Sequence, residues 1–282
     1  MNRTAQVSSS ASTVNPTAQL TTAFGWSASA LAGASFLLVA CTLLSPVQIP
    51  GKAGWPDAVL VLTTAVATLF SLSRHLPGQN VILAASAIGF IGGLSHGLSA
   101  ATAIPFGPLI FTDRAGPKIL GFVAWPIPAL WIIAILNSRG VARLILRPWR
   151  KLRTYGFWLL GLTAALTVLF AVALDPFAAQ VKRYWLWQPT KFSLTWHGAP
   201  LVNFLGWLVT ALLILAFATP ALISKQPRSK TPAPDYHPLV VWLLALALFA
   251  IGSIAYDLWP AAGFCVLTSV VVAFFSIRGA RC

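Results

Sequence analysis

The chain has 282 residues, of which 57% are hydrophobic and only 9% charged, with a mean hydropathy of +0.80. A soluble domain is about 45–50% apolar and about 25% charged, so this balance excludes disorder, a fibrous repeat and a nucleic-acid-binding basic domain and points to a polytopic membrane protein. The net charge of +14 sets 19 Lys and Arg against five acids, all of them Asp (Asp57, Asp113, Asp175, Asp235 and Asp257), with no Glu.

Residues 1–24 are rich in Ser, Thr, Ala and Gln and hold no acid and no apolar run. They read as a disordered N-terminal tail; a transit peptide, also Ser-rich and acid-poor, is the alternative. Residues 25–282 then read as a single membrane helical domain. Hydropathy gives eight spans: 25–45, 57–73, 80–104, 118–136, 156–174, 200–223, 238–256 and 259–277. Asp57 follows Pro56 at the start of the second and reads as a helix cap. The third carries His96 and exits through Pro105-Phe106-Gly107, the core of the segment 96–118. Pro and Gly break the helix there, and irregular backbone at membrane depth is tolerated only where it is buried in protein or lines a cavity.

After the fourth span, residues Arg139 to Arg153 alternate basic and apolar side chains. This suits an interfacial helix on anionic headgroups; recruitment of an anionic ligand is the sharper alternative. The second unusual segment, 175–207, runs from Asp175-Pro176 through Tyr184-Trp185-Leu186-Trp187 to His197-Gly198 and Asn203-Phe204-Leu205-Gly206-Trp207. Asn203 and Trp207 are four apart and share a helical face, with Gly206 allowing close packing. Residues Ser224–His237, rich in Lys, Pro and Ser, read as a flexible loop, and Asp257 sits in a tight turn between the last two spans.

The fold class expected is therefore all-α: a polytopic membrane bundle of about eight transmembrane helices. Most of the basic residues fall on the side of the even loops and the termini, which puts both termini in the cytoplasm by the positive-inside bias. Asp57, Asp113, Asp175 and Asp257 then share the opposite face. The three Cys and four His show no ligand spacing, so no metal site is expected.

The two unusual segments resemble the integral-membrane carotenoid-biosynthesis family that contains the acyclic-carotenoid hydratases of the gamma-carotene and bisanhydrobacterioruberin type. The likeness rests on Pro105-Phe106-Gly107, Gly116-Pro117, Leu174-Asp175-Pro176, Trp185-x-Trp187 and Gly198-x-Pro200-x-x-Asn203-Phe204-x-Gly206-Trp207, in family order and spacing over residues 90–215. There are departures. His96 stands where the family usually has Glu, Ala171 where it often has Asp, and Leu109 and Phe111 replace two Tyr.

The resemblance implies addition of water to the terminal double bond of a linear carotenoid end, giving a tertiary alcohol with no cofactor. Alkene protonation needs a strong acid in a dry site, and a buried carboxylic acid is one suitable donor. On this reading Asp175 and Asp113 are the acids, His96 is a relay, and Phe106, Trp185 and Trp187 are walls facing a cation. Asn203 orients the attacking water, and Phe204 and Trp207 complete the binding surface. Plainer readings stand beside these: a helix-end turn for Asp175, an ion-paired loop residue for Asp113, a packing residue for His96 and interfacial belt positions for the Trp pair. The implied partners are a carotenoid entering from lipid, membrane lipids and other enzymes of the pathway, with no nucleic acid, in a bacterial cytoplasmic membrane. The rival class is a non-catalytic pigment or lipid carrier of the same fold.

Overall fold

A computed structural model of the protein describes residues 16–44, 55–189, 194–223 and 233–281. Among these residues eight long helices run in chain order: α1 (Pro16–Leu44), α2 (Trp55–Ser73), α3 (Gly78–Thr102), α4 (Ile127–Ile145), α5 (Tyr155–Pro176), α6 (Leu201–Ala218), α7 (His237–Ala255) and α8 (Trp259–Arg281). Each contains a stretch long and apolar enough to cross a membrane. The protein is an integral membrane protein. Many large apolar side chains, Phe90, Phe157, Leu205 and Phe217 among them, point outward, as lipid-facing helices require. Of the expected tail, residues 1–15 lie outside the described residues, while 16–24 belong to α1. Most of the loop expected at 224–237 lies outside them as well.

Proline sets several helix starts. Pro56, Pro128, Pro238 and Pro260 fall in the first turns of α2, α4, α7 and α8, where the missing N–H has no intrahelical partner to lose. Seven spans lie close to their expected positions. The fourth does not: it was expected at 118–136 and runs Ile127–Ile145. Lys118–Ile119 (β2) turns back through Leu120 and Gly121, both at positive φ, to pair with Val123–Ala124 (β3). The helix starts only after that hairpin. It therefore buries Arg139 in the bundle and carries the exposed Arg143 on its last turn, residues that hydropathy assigns to an interface. α4 is the central helix, packed against α2, α3, α5, α7 and α8.

The remaining strands are Leu109–Phe111 (β1), Trp185–Trp187 (β4), Thr195–Trp196 (β5) and Ala199–Pro200 (β6). β1 pairs antiparallel with β4, matching Leu109 to Trp187 and Phe111 to Trp185, and β5 pairs with β6. Helix polarity puts all three ribbons at one end of the bundle, with Asp57, Asp113, Asp175 and Asp257. Asp235 lies at the other end, with the arginines that close α4.

Candidate active site

Asp175 occupies the last turn of α5, one residue before Pro176. Proline has no N–H to give the carbonyl four residues back, and here that carbonyl, of Val172, accepts the indole N–H of Trp196 at 3.0 Å. Beyond Pro176 the chain widens into a π-helical turn, Phe177–Val181, a form often found at functional sites. It returns the chain as β4 directly over Asp175. Trp185 and Trp187, two apart on a strand, face the same side. Trp185 donates its Nε1–H to Oδ1 of Asp175 at 3.2 Å, and Trp187 donates to Oδ2 at 3.0 Å. Asn203 of α6 adds a longer bond from Nδ2 to Oδ1, 3.5 Å. Asp175 is 2% exposed, so both oxygens of a buried carboxyl are met by N–H donors, as a buried acid requires.

A second cluster surrounds His96, which is 5% exposed. Its Nδ1 accepts the Trp131 indole N–H at 3.2 Å. The Trp131 ring stacks on Trp207 at 4.1 Å between centroids, and Phe106 lies 4.2 Å from the imidazole. Gly92, one turn before His96, makes room for Trp131, since a Cβ there would sit 2.3 Å from the indole. On α6, Gly206 admits the Pro105-Phe106-Gly107 loop in the same way: a Cβ would lie 2.6 Å from the Pro105 carbonyl. Ser99 ties down that loop, accepting from the Phe106 N–H and donating to the Gly107 carbonyl. Asn203 and Trp207 are both buried on one face of α6 and join the two clusters.

A cavity of about 1020 Å³ lies beside them, at the upper end of the range of about 300–1,000 Å³ usual for small-molecule sites. Apolar side chains of α2, α4, α5 and α7 line most of it. Its ribbon end carries Asp57, Asp113, Arg114, Tyr184 and Trp185. Asp57 pairs with Lys182 at 2.8 Å, and the Tyr184 hydroxyl hydrogen-bonds Asp57. Burial, with the Asp57 charge and hydrogen bond added, pushes the Tyr184 phenol well above its ordinary range. Tyr184 is thus a fixed proton-bearing donor at neutral pH.

The nine residues singled out from sequence divide across this arrangement. Trp185 and Asp113 line the cavity. Asp113 is exposed and opens a short 3-10 turn, with no ion pair among the described residues. Asp175 stands behind Trp185, and Trp187 and Asn203 turn their N–H groups to it. His96, Phe106 and Trp207 form the aromatic stack, and Phe204 is buried beside it on α6. No hydrogen bond links His96 to Asp175 or Asp113 among the described residues. Sequence reading passed over Trp131, Lys182 and Tyr184. Asp57, expected as a cap, stands in the first turn of α2 and also pairs with Lys182. His197 is a turn residue, at positive φ with Gly198 in the two-residue loop between β5 and β6, where such turns belong. Among the described residues no three His, Cys, Asp or Glu side chains are grouped to hold a metal ion.

Residues 56–272 match the profile of a family described as carotenoid biosynthesis protein. The chain belongs to that family. No curated protein and no solved structure matches it. Membership covers most of the chain, from the start of α2 into α8, and so takes in both clusters and the cavity. The cavity wall is mostly apolar, with its two Asp and its one Arg at the ribbon end and His237 at the other.

Proposed function

We propose that the protein is a carotenoid hydratase, adding water to the terminal double bond of an acyclic or monocyclic end group. The observation that carries this is the apolar cavity closing on Asp113, Asp57, Tyr184 and Trp185 at a single end. A polyene lies along the apolar wall and presents its terminal alkene to that end. A carboxylic acid gives its proton to the outer alkene carbon, and the π pair forms the new C–H bond. The tertiary cation left behind takes the lone pair of a water, and that water returns a proton to the carboxylate. No electron acceptor enters the balance.

Of the two acids lining the cavity, Asp57 is engaged by Lys182 and Tyr184, which leaves Asp113 as the proton donor. Asp175 acts through Trp185: it anchors the indole by its N–H, fixing the ring at the cavity wall where its face meets the cation. Tyr184 holds the attacking water by hydrogen bonding. The substrate enters laterally from the bilayer, and the arginine-bearing end faces the cytoplasm of a bacterial cell.

The test is pigment mass analysis in cells that make a lycopene-type substrate. The wild-type chain is expected to add the mass of one water, and Asp113→Asn and Asp175→Asn to lose most of that product. Full hydration by both variants would overturn the acid assignments, and pigment of unchanged mass with the wild type would overturn the reaction. One observation favours a second reading, a pigment carrier: Asp175 is saturated by three donors and absent from the cavity lining. A carrier would co-purify with pigment and leave its mass unchanged.

A further inference from the structure

The opposite end of the bundle holds a smaller pocket of about 150 Å³, lined by Arg139, Arg143, Arg147 and Arg150 and, across from them, by His75, Asp235 and His237. Water occupies about 30 Å³ per molecule in the liquid, so the space holds on the order of five waters, or one group the size of a phosphate. Arg139 and Arg143 are four residues apart on one side of the end of α4, and Arg147 opens the 3-10 turn that follows. Like charges at this spacing repel, so an anion between them removes a cost.

Arg139 supplies the independent observation. It is 7% exposed, lies inside a membrane span, and its Nε has no hydrogen-bond partner. Nδ1 of His237, also in the lining, is buried without a partner as well. Buried polar groups without partners are rare and point to a missing ion, water or ligand. Among the described residues no uncommitted acid side chain supplies the anion. Asp235 is the one carboxylate side chain at this end, and it is engaged by His75 Nε2 at 3.3 Å, by Ser71 Oγ at 3.4 Å and by the His237 backbone N–H at 3.0 Å. The neighbouring residues 224–232 contain no Asp or Glu.

We propose that this pocket binds a phosphate-bearing anion, with Arg139 at its floor and Arg143 at its mouth. Guanidinium forks match phosphate oxygens in pairs. The pocket lies at the helix ends, where both a phospholipid headgroup and a soluble phosphate reach it.

The experiment uses the full-length protein purified and delipidated in neutral detergent. One arm titrates inorganic phosphate and pyrophosphate and follows thermal unfolding, since a ligand of the folded state raises Tm with its concentration. The other adds phosphatidylglycerol or phosphatidylcholine and counts bound lipids by native mass spectrometry. Wild type is expected to respond in at least one arm, and to prefer phosphatidylglycerol over phosphatidylcholine if the source is lipid. Arg139→Gln and the exposed Arg143→Gln are each expected to weaken binding about tenfold, the effect of one lost charge-assisted hydrogen bond. Arg153→Gln, outside the lining, should leave it unchanged. Arg143→Gln keeps the test valid should Arg139→Gln fail to fold. A response to soluble phosphate identifies a free anion, and a response to phosphatidylglycerol alone identifies a headgroup. No response in either arm, or a response that Arg143→Gln leaves intact, overturns the proposal.

Discussion

Asp175 is met by N–H donors from three side chains, and removing one donor differs from removing the charge. Trp187→Phe keeps an aromatic ring and takes away one N–H donor to the buried carboxyl, so it is expected to cost about 1–3 kcal/mol of stability, read as a lower Tm in detergent. A Tm equal to wild type would show that the bond contributes nothing. His96 gives a second case at this scale. His96→Leu strands the buried Trp131 indole N–H and is expected to cost about 1–3 kcal/mol, whereas His96→Glu leaves Trp131 an acceptor. Equal losses for the two would show that the Trp131 hydrogen bond is not what His96 provides. These residues differ in how far sequence exposes them. Trp185 and Trp187 could be named because a Trp-x-Trp on a strand must face one side. Their convergence on Asp175 could not, because it depends on the π-helical turn after Pro176. Trp131 was missed because a Trp within an apolar run looks like an interfacial anchor until Gly92 is seen to lie under it.

At the scale of elements, helix ends decide most of the geometry. Pro176 leaves the Val172 carbonyl without its helical donor, and Trp196 from the β5–β6 ribbon fills the place. Trp196→Phe is expected to cost about 1–3 kcal/mol for the unpaired carbonyl, and chemical shifts or hydrogen exchange at Thr195 and Ala199 should report the ribbon lifting away. If the ribbon stays put, the bond does not anchor it. The segment before α7 carries the pH-sensitive contact. Burial opposes ionisation of Asp235, but hydrogen bonds from His75 and the His237 N–H, with the charges of both imidazoles, outweigh it and hold the carboxyl below its ordinary value. The depressed value means that this stabilisation is complete above the unfolded pKa of about 3.9 and is lost as pH falls through the lower folded value. The Tm gap between wild type and Asp235→Asn should therefore be constant near neutrality and shrink below about pH 4. A gap unchanged down to pH 3 would remove Asp235 from the account. Seven of the eight spans were legible from apolar length alone. The fourth was displaced because hydropathy excludes arginine, while the bundle tolerates Arg139 and Arg143 where they line a polar pocket.

For the whole molecule, the argument concerns length. The large cavity is lined along α7 from His237 to Phe249, about 18 Å of helix at 1.5 Å per residue. Its acids and Arg114 lie at the ribbon end, so on the proposed function a polyene would bind with its head there and its tail running toward the arginine end. Sequence could supply Asp113 and Trp185 at the head, since they fall in the two unusual segments, but it assigned no such role to Asp57 or Tyr184. It could not supply the tunnel, which is assembled from single apolar side chains of five helices, none distinguishable from lipid-facing positions by hydropathy. If the tunnel measures the substrate, filling its far end should change which polyenes are accepted without touching the chemistry. Val241 lines the cavity one turn inside His237. Val241→Trp is expected to lower conversion of a full-length carotenoid about tenfold, a cost of about 1.4 kcal/mol in productive binding, while a shortened polyene with the same end group is converted as by wild type. The readout is the ratio of hydrated long to hydrated short pigment in cells fed or engineered to make both. An unchanged ratio would place the substrate outside this cavity, and loss of both products would mean that Val241 supports the fold rather than the tail.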